Sequence, residues 1–290
     1  MRQTIAQFTL AALAVMLLLP AAQGQPVQVR LASLDAPGGT PVVLDGHWFA
    51  APGTAPAPAM VLLHGCGGAF DSRGRLGERY TGMAARLNAL GVHVLVTDSF
   101  GPRHEKQICT QRTGQRRIDQ SHRRRDALGA LQWLAARPDV DAARLGLLGW
   151  SNGGSTVLAA LNLRHREVAA APVRPSLAVA FYPGCEAERD RGFEPSAPLL
   201  MQLGEADDWT PPEPCKAMAA AARQGPVPRW DAYEGAYHGF DGTAPVRHRA
   251  DVPNGVRPGQ GVHVGANPAA REASALRLVS FIRETWRLNP

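Results

Sequence analysis

The strongest chemical signal in the chain is a serine flanked by glycines, in the segment Gly149-Trp150-Ser151-Asn152-Gly153. The segment joins an apolar run directly to a stretch of small residues, which predicts a buried strand followed at once by a helix. So sharp a turn exposes the serine at the strand end, and the glycines relieve the crowding around it. The setting predicts a nucleophilic serine; the alternative is a serine that merely turns a strand into a helix.

A serine hydroxyl attacks a carbonyl only when a base takes its proton and an acid holds that base. In this kind of fold the chain order is serine, then acid, then histidine. His238 directly follows the last predicted strand, where a loop can bring its imidazole over the carboxyl edge of the sheet. The acid is expected in the turn after the preceding strand, which contains Glu205, Asp207 and Asp208. Spacing alone does not distinguish these carboxylates.

A glycine-rich turn, residues 64–68 (HGCGG), follows another apolar run and is suited to binding a developing negative charge. Such a turn lets backbone N–H groups approach an oxyanion, and the residue after the nucleophile supplies a second N–H. The predicted oxyanion donors are therefore the N–H groups of Cys66 and Asn152. The turn lacks the Lys-Ser/Thr ending of a phosphate-binding loop, and no partner for a metal stands at ligand spacing. Neither a cofactor nor a metal is predicted.

The elements that must position these residues alternate along the chain. The predicted strands cover residues 27–31, 42–49, 60–63, 92–96, 145–150, 177–182, 198–203 and 227–233. Helical patterns include residues 80–90, 128–134, 152–163, 211–223 and 276–286. Strands that are apolar throughout are buried on both faces, so the pattern predicts a mostly parallel sheet with helices on both sides, an α/β fold. The first two strands have no helix between them and are expected to form an antiparallel edge. Residues 239–269, rich in Gly and Pro, are predicted to form a long loop.

The N-terminus has the pattern of an export signal. Arg2 precedes an apolar stretch over residues 8–19, which is too short to span a bilayer, and small residues follow up to Gly24. The sequence predicts a signal peptide over 1–24 and a single α/β domain over 25–290; the alternative is an uncleaved anchor. The mature protein is expected to be exported, periplasmic or secreted, with no stable membrane anchor.

Export changes the interpretation of the four cysteines, because disulfides persist in oxidising compartments. Cys185 and Cys215 follow two adjacent predicted strands, so both are expected at the same edge of the sheet. Cys66 and Cys109 follow another such pair. The predicted disulfides are 185–215 and 66–109, and a free Cys66 thiol in the oxyanion turn is the alternative.

Composition and charge exclude several classes of protein. The chain has 290 residues, 45% of them hydrophobic and 19% charged, which is typical of a globular protein. The formal net charge is +6, and the densest basic cluster is Arg123, Arg124 and Arg125 inside a predicted helix. We interpret this cluster as a solvated helix face, since a nucleic-acid interface usually interleaves basic residues with aromatic ones. No nucleic-acid partner is predicted.

Five segments together resemble the dienelactone-hydrolase-like family of the α/β-hydrolase superfamily. They are residues 63–68 (LHGCGG), 98–103 (DSFGPR), 149–154 (GWSNGG), 204–211 (GEADDWTP) and 237–240 (YHGF). The resemblance, which runs from about residue 60 to 286, implies an α/β-hydrolase fold and a Ser-Asp-His triad. It places the acid on Asp207. The connection from Tyr182 to Pro198 is too short for the large helical lid of lipases.

The chain departs from the family at three positions. Dienelactone hydrolases use a cysteine nucleophile and a glutamate near the oxyanion strand, where this chain has Ser151 and the His64-Gly65 turn. They also bind a substrate carboxylate with an arginine, to which Arg103 is close but displaced by one residue. The predicted function is hydrolysis of a small-molecule ester or lactone through an acyl-enzyme, with Ser151, Asp207 and His238 as the triad. The alternatives are a small serine peptidase or amidase of prolyl-oligopeptidase type and a non-catalytic binding protein of the same fold.

Overall fold

The structure is a computed structural model that describes residues 25–54 and 56–288. The predicted signal peptide, residues 1–24, lies outside the described residues and stays a prediction. Within the described ranges, no helix combines the length and the apolar character needed to cross a membrane.

An eight-stranded sheet forms the centre of the fold, in the strand order β1-β2-β4-β3-β5-β6-β7-β8. The strands are β1 (Val27–Ala32), β2 (Val43–Phe49), β3 (Ala57–Leu63), β4 (His93–Asp98), β5 (Val140–Trp150), β6 (Leu177–Phe181), β7 (Leu199–Gly204) and β8 (Arg229–Tyr233). Strands β3 to β8 are mutually parallel, whereas β2 pairs antiparallel with both β1 and β4. The predicted α/β-hydrolase fold and its antiparallel edge are confirmed.

Helices cover both faces of the sheet. They are α1 (Glu78–Asn88), α2 (Gln120–Ala135), α3 (Asn152–Leu161), α4 (Arg166–Ala169), α5 (Glu186–Arg191), α6 (Glu213–Ala221) and α7 (Pro268–Trp286). Helices α2, α3 and α6 pack on one face in a core that includes Val61 and Leu63 of β3. Helices α1 and α7 pack on the other face, against Met60 and Leu62 of the same strand. Alternate residues of β3 thus enter opposite cores, which is why the strand is apolar throughout.

The long segment after β8 is more ordered than the sequence suggests. Residues 239–269 contain a short antiparallel hairpin, β9 (Arg247–Arg249) with β10 (Val262–Val264), in place of the predicted continuous loop. Each strand has only three residues, which is too short for an alternating pattern to be recognised. The hairpin lies beside His238, because Val264 forms an isolated β-bridge with that residue.

The interpretation of the arginine cluster on α2 as a solvated face is wrong for two of its three members. Arg123 and Arg124 are buried, whereas Arg125 is partly exposed. Helix α2 packs against α3 and the sheet, so this face of the helix points inward. Acceptors elsewhere in the fold satisfy the two guanidinium groups: Arg124 pairs with Glu167, and Arg123 donates to uncharged oxygen atoms described below.

Candidate active site

Ser151 stands at a strained turn between β5 and α3. Its backbone has φ of 55° and ψ of −119°, in a region that non-glycine residues rarely adopt. The neighbouring chain leaves no space for side chains around the turn. A Cβ atom at Gly149 would overlap the carbonyl of Gly153, and one at Gly153 would overlap the carbonyl of Leu63. The turn therefore has the geometry expected of a nucleophile elbow.

A continuous chain of hydrogen bonds joins Ser151, His238 and Asp207, the three residues that the sequence analysis assigned to a triad. The Nε2 atom of His238 lies 2.8 Å from Oγ of Ser151. Its Nδ1 atom lies 2.8 Å from Oδ2 of Asp207. Both distances fit strong hydrogen bonds, and this order allows the histidine to accept a proton from the serine while the carboxylate holds its ring.

The turn after β7 holds Asp207 through its own backbone. The side chain of Asp207 is fully buried, and its Oδ1 atom accepts hydrogen bonds from the N–H groups of Trp209 and Thr210, each at 2.9 Å. The neighbouring Asp208 points elsewhere and contacts His263 of the β9–β10 hairpin, with 2.7 Å between Oδ2 and Nδ1. The structure thus separates two carboxylates that spacing alone could not rank.

Two aromatic rings, one after β6 and one after β7, pack against the imidazole of His238. Tyr182, which follows β6, and Trp209 both lie with their ring centres 4.6 Å from that of His238. The N–H of Gly265, next to β10, donates to the carbonyl of His238 at 3.0 Å. Neither Tyr182 nor Trp209 is recognisable as a site residue from the sequence, although Trp209 stands inside the segment that contains Asp207.

The predicted oxyanion donors lie on the two segments that flank Ser151. Asn152 is the first residue of α3, where backbone N–H groups have no partner within the helix. Cys66 lies in the turn after β3, and in the described part of the chain its N–H donates no hydrogen bond. Gly65 packs beside the nucleophile, because a Cβ atom placed there would lie 3.6 Å from Cβ of Ser151.

Two clefts meet at Ser151, with volumes of about 720 Å³ and 830 Å³. The first cleft is bounded by α1, by the β9–β10 hairpin and by the start of α7. The second cleft is bounded by the start of α2, by the segment that includes α5 and by residues 254–256. Cys66 and Trp209 border both clefts, as Ser151 does. Ser151 is therefore bordered by a cleft on each of two sides.

Arg103 does not occupy the position expected of a residue that grips a substrate carboxylate. Its guanidinium forms 2.8 Å ion pairs with Asp35 and with Asp126, and it donates to the carbonyl of Ser99 at 2.8 Å. Among the described residues, those lining the two clefts do not include Arg103. Because its donors are used within the protein, Arg103 holds the turn after β4 to α2.

Two disulfides cross-link the carboxyl edge of the sheet. Cys66 is bonded to Cys109 and Cys185 to Cys215, which are the expected pairs, and no cysteine is free. The first disulfide joins the turn after β3 to the segment between β4 and α2. The second joins the chain after β6 to α6. Groups of three or more side chains that could bind a metal ion do not occur in the described ranges.

The fold and this serine elbow together define an α/β hydrolase. The sequence model of the dienelactone hydrolase family matches residues 46–286, and the chain belongs to that family, whose members are hydrolases. No curated protein matches the chain in sequence.

Solved structures support the same fold. A dienelactone hydrolase-like promiscuous phosphotriesterase, P91, from metagenomic libraries is similar at a TM-score of 0.63 and 20% identity, over 90% of this chain and 99% of that one. Esterase 2 of Thermogutta terrifontis, phosphorylated by paraoxon, gives 0.60 and 17%, over 94% and 99%. A puromycin-hydrolysing peptidase of Mycobacterium tuberculosis gives 0.63 and 20%, over 94% of this chain but 41% of that one. At these identities the likeness concerns the fold alone.

Proposed function

We propose that the protein is a serine hydrolase that cleaves an ester or lactone through an acyl-enzyme intermediate. The observation that carries the proposal is the hydrogen-bonded chain from Asp207 through His238 to Ser151, at the point where the two clefts meet. A buried carboxylate, an oriented imidazole and a strained serine together meet the requirements for an activated hydroxyl nucleophile. Membership of a hydrolase family supports the same class of reaction.

In the proposed mechanism, Oγ of Ser151 attacks the substrate carbonyl while Nε2 of His238 takes the hydroxyl proton. The carbonyl π electrons move to its oxygen, and the N–H groups of Cys66 and Asn152 stabilise the resulting oxyanion. The intermediate collapses as the bond to the alcohol oxygen breaks, and His238 delivers the proton to that oxygen. Water then attacks the acyl-enzyme by the same route in reverse, releasing the acid and restoring Ser151. Asp207 keeps the imidazole in the required tautomer and stabilises its cation.

Labelling with a fluorophosphonate probe tests the activated serine. We expect one label per chain on Ser151 in the wild-type protein and none in Ser151→Ala. Ser196→Ala is the matched control, because that buried hydroxyl lies away from the clefts and has no hydrogen-bond partner in the described structure. Failure of the wild-type protein to react would favour a non-catalytic binding protein.

A panel of p-nitrophenyl esters, lactones and peptide amides tests the bond that is cleaved. We expect turnover of esters or lactones at kcat/KM values well above those for amides of the same acyl group. Faster cleavage of the peptide amides would replace the proposal with a peptidase or amidase of prolyl-oligopeptidase type.

We further propose that the protein acts outside the cytosol after removal of residues 1–24. Two buried disulfides support an oxidising compartment, because reducing systems keep cytosolic thiols free. N-terminal sequencing of the protein recovered from the cell exterior or periplasm tests both points. A mature chain that begins near Gln25 is expected, whereas an intact N-terminus in the cytosol would contradict the proposal.

A further inference from the structure

Arg123 is a buried arginine whose guanidinium group forms no ion pair with a carboxylate of the described residues. Its side chain is 1% exposed, and in the part of the chain that the structure describes it belongs to no ion pair. Nη1 donates to Oδ1 of Asn152 at 2.5 Å, and Nη2 donates to the carbonyl of His64 at 2.7 Å. Nε is buried without a partner. Buried charges are normally paired, whereas this guanidinium donates to two neutral oxygens and interacts with Asp126 and Asp98 only through space.

The two oxygen atoms belong to the two segments that provide the proposed oxyanion donors. His64 immediately precedes Gly65 and Cys66 in the turn after β3, and Asn152 begins α3 beside Ser151. Arg123 is 59 residues from the first partner and 29 from the second. One side chain on α2 therefore connects the turn after β3 to the start of α3.

The ring of His64 extends this connection to the peptide that contains the Cys66 N–H. The N–H of Ser99 donates to Nε2 of His64 at 3.1 Å, so Nε2 is unprotonated. Burial and the nearby charge of Arg123 hold the pKa of His64 well below its ordinary value of 6.5, so the ring is neutral with its proton on Nδ1. Nδ1 donates to the carbonyl of Gly65 at 2.8 Å. That carbonyl and the Cys66 N–H are the two ends of one peptide group, so the bond orients and polarises the donor.

We infer that Arg123 is a positioning residue for the oxyanion hole, and this inference rests on the proposed function of Ser151. Its guanidinium holds His64 and Asn152 so that the N–H groups of Cys66 and Asn152 converge beside Oγ of Ser151. Its positive charge also favours negative charge on the substrate oxygen.

Loss of a positioning residue of the oxyanion hole has a kinetic effect that loss of a purely structural residue does not have. The oxyanion exists in the transition state and not in the bound substrate, so loss of its support lowers kcat and leaves KM nearly unchanged. Burial lowers the pKa of Arg123 to about 10, which still leaves the guanidinium charged at neutral pH. A residue that only stabilised the fold would change the folded fraction and not the rate per folded molecule.

The test uses Arg123→Met, which keeps the length of the side chain and removes both its charge and its donors. Arg137→Met is the matched control, because Arg137 pairs with Asp139 and lies over the rings of Trp48 and Trp133, and among the described residues it lines neither cleft. For each folded variant we would measure the thermal midpoint, kcat and KM for a p-nitrophenyl ester, and the rate of fluorophosphonate labelling. We expect Arg123→Met to lose roughly 10- to 100-fold in kcat and in labelling rate, with KM within about threefold. We expect Arg137→Met to lose thermal stability and to keep its kcat per folded molecule.

A second variant covers the case in which Arg123→Met fails to fold. Asn152→Ala removes the Oδ1 acceptor and keeps the backbone N–H, so it is expected to lower kcat several-fold at constant KM. Where both single variants fold, the double variant should lose less than the product of the two single effects, because the contact is shared. Wild-type kcat in either folded single variant, or equal loss in Arg137→Met, would overturn the inference. If instead Ser151→Ala retains activity, the proposed function fails first, so the two failures are distinguishable.

Discussion

The turn after β3 and the turn after β7 lie at the same edge of the sheet, yet they are supported in opposite ways. The turn after β7 holds its own carboxylate, since Asp207 accepts hydrogen bonds from residues two and three positions further along. The turn after β3 depends on distant segments. The carbonyl of His64 accepts from Arg123, its ring accepts from Ser99, and the carbonyl of Cys66 accepts from Ile108.

This difference predicts which substitutions should lower kcat through each of the two turns. The catalytic carboxylate of the turn after β7 is held from within that turn, although other groups of the turn bond to residues 233, 236 and 256. Changes inside the turn or at its histidine should therefore matter most. A turn held by tertiary contacts is exposed to changes elsewhere, in α2 and in the segment between β4 and α2. The following predictions test that contrast, beginning with the residue that both turns serve.

Ser151→Ala is expected to have the largest effect. The nucleophile is shared by both turns, so its loss should lower kcat by at least about 10⁴-fold, whatever the condition of either turn. Steady-state hydrolysis of a p-nitrophenyl ester, with circular dichroism to verify folding, measures this. Residual activity above about 1% in a folded variant would mean that another group attacks the substrate.

Asp207→Asn should lower kcat by roughly 10³- to 10⁴-fold, because an amide no longer stabilises the imidazolium and favours the wrong tautomer. Asp208→Asn is the matched control, since that carboxylate contacts His263 of the hairpin. We expect the control to keep its kcat within about tenfold. Equal losses of kcat at the two positions would contradict the assignment of Asp207 as the acid. They would also contradict the view that this turn holds its own catalytic carboxylate.

The two disulfides should differ in their effect on rate while resembling each other in their effect on stability. Their sequence separations are 43 residues for Cys66–Cys109 and 30 for Cys185–Cys215. In the chain-entropy model, removing either one by paired Cys→Ala changes costs about 4 kcal/mol of unfolding free energy. Only loss of Cys66–Cys109 should also lower kcat per folded molecule, because it loosens the turn that contains the oxyanion donor. Denaturant melts and active-site titration separate the two quantities, and an equal fall in kcat for both pairs would contradict the contrast.

A smaller effect follows from the lowered pKa of His64, which burial and Arg123 cause. The folded protein keeps this ring neutral while the unfolded chain binds a proton below pH 6.5, so the contribution of His64 to stability is complete above that pH and falls as the pH decreases. Wild-type protein should lose about 1 kcal/mol more than His64→Asn between pH 7.5 and 5.5. Urea melts at the two values measure the difference. His47 and His93, whose pKa values are also lowered by burial, are present in both proteins and should cancel. A pH dependence that is the same in both proteins would show that the ring titrates alike in the folded and unfolded states.

The contrast also explains what could be predicted from the sequence. Ser151 directly follows the apolar end of β5, and His238 lies in the segment after β8, so pattern and chain order are enough to place them at one edge of the sheet. The choice of Asp207 over Asp208 needed the resemblance to a family, because both residues occupy the same turn. Arg123 was misinterpreted, since an arginine run in a helix gives no local sign that tertiary packing will bury it.

Strand and helix boundaries differed for a related reason. Strand β5 begins at Val140, five residues before the apolar run that predicts it, because residues 141–144 are partly or fully exposed and include Asp141 and Arg144. Helix α7 begins at Pro268, where the side chain of Asn267 caps it by accepting from the N–H of Ala270. Caps and frayed strand ends depend on single residues, whereas the interior of an element depends on many.

The glycines of the elbow have a consequence for the genetic robustness of the protein. Every missense change of a glycine codon adds at least a Cβ atom, and at Gly149 or Gly153 that atom overlaps a backbone carbonyl, of Gly153 or of Leu63, that cannot rotate away. In a saturation library selected for turnover, these two positions should tolerate no replacement. Gly67 and Gly114, beside which an added Cβ atom meets nothing within 4 Å, should accept alanine. We therefore expect no selectively neutral amino-acid replacement at Gly149 or Gly153.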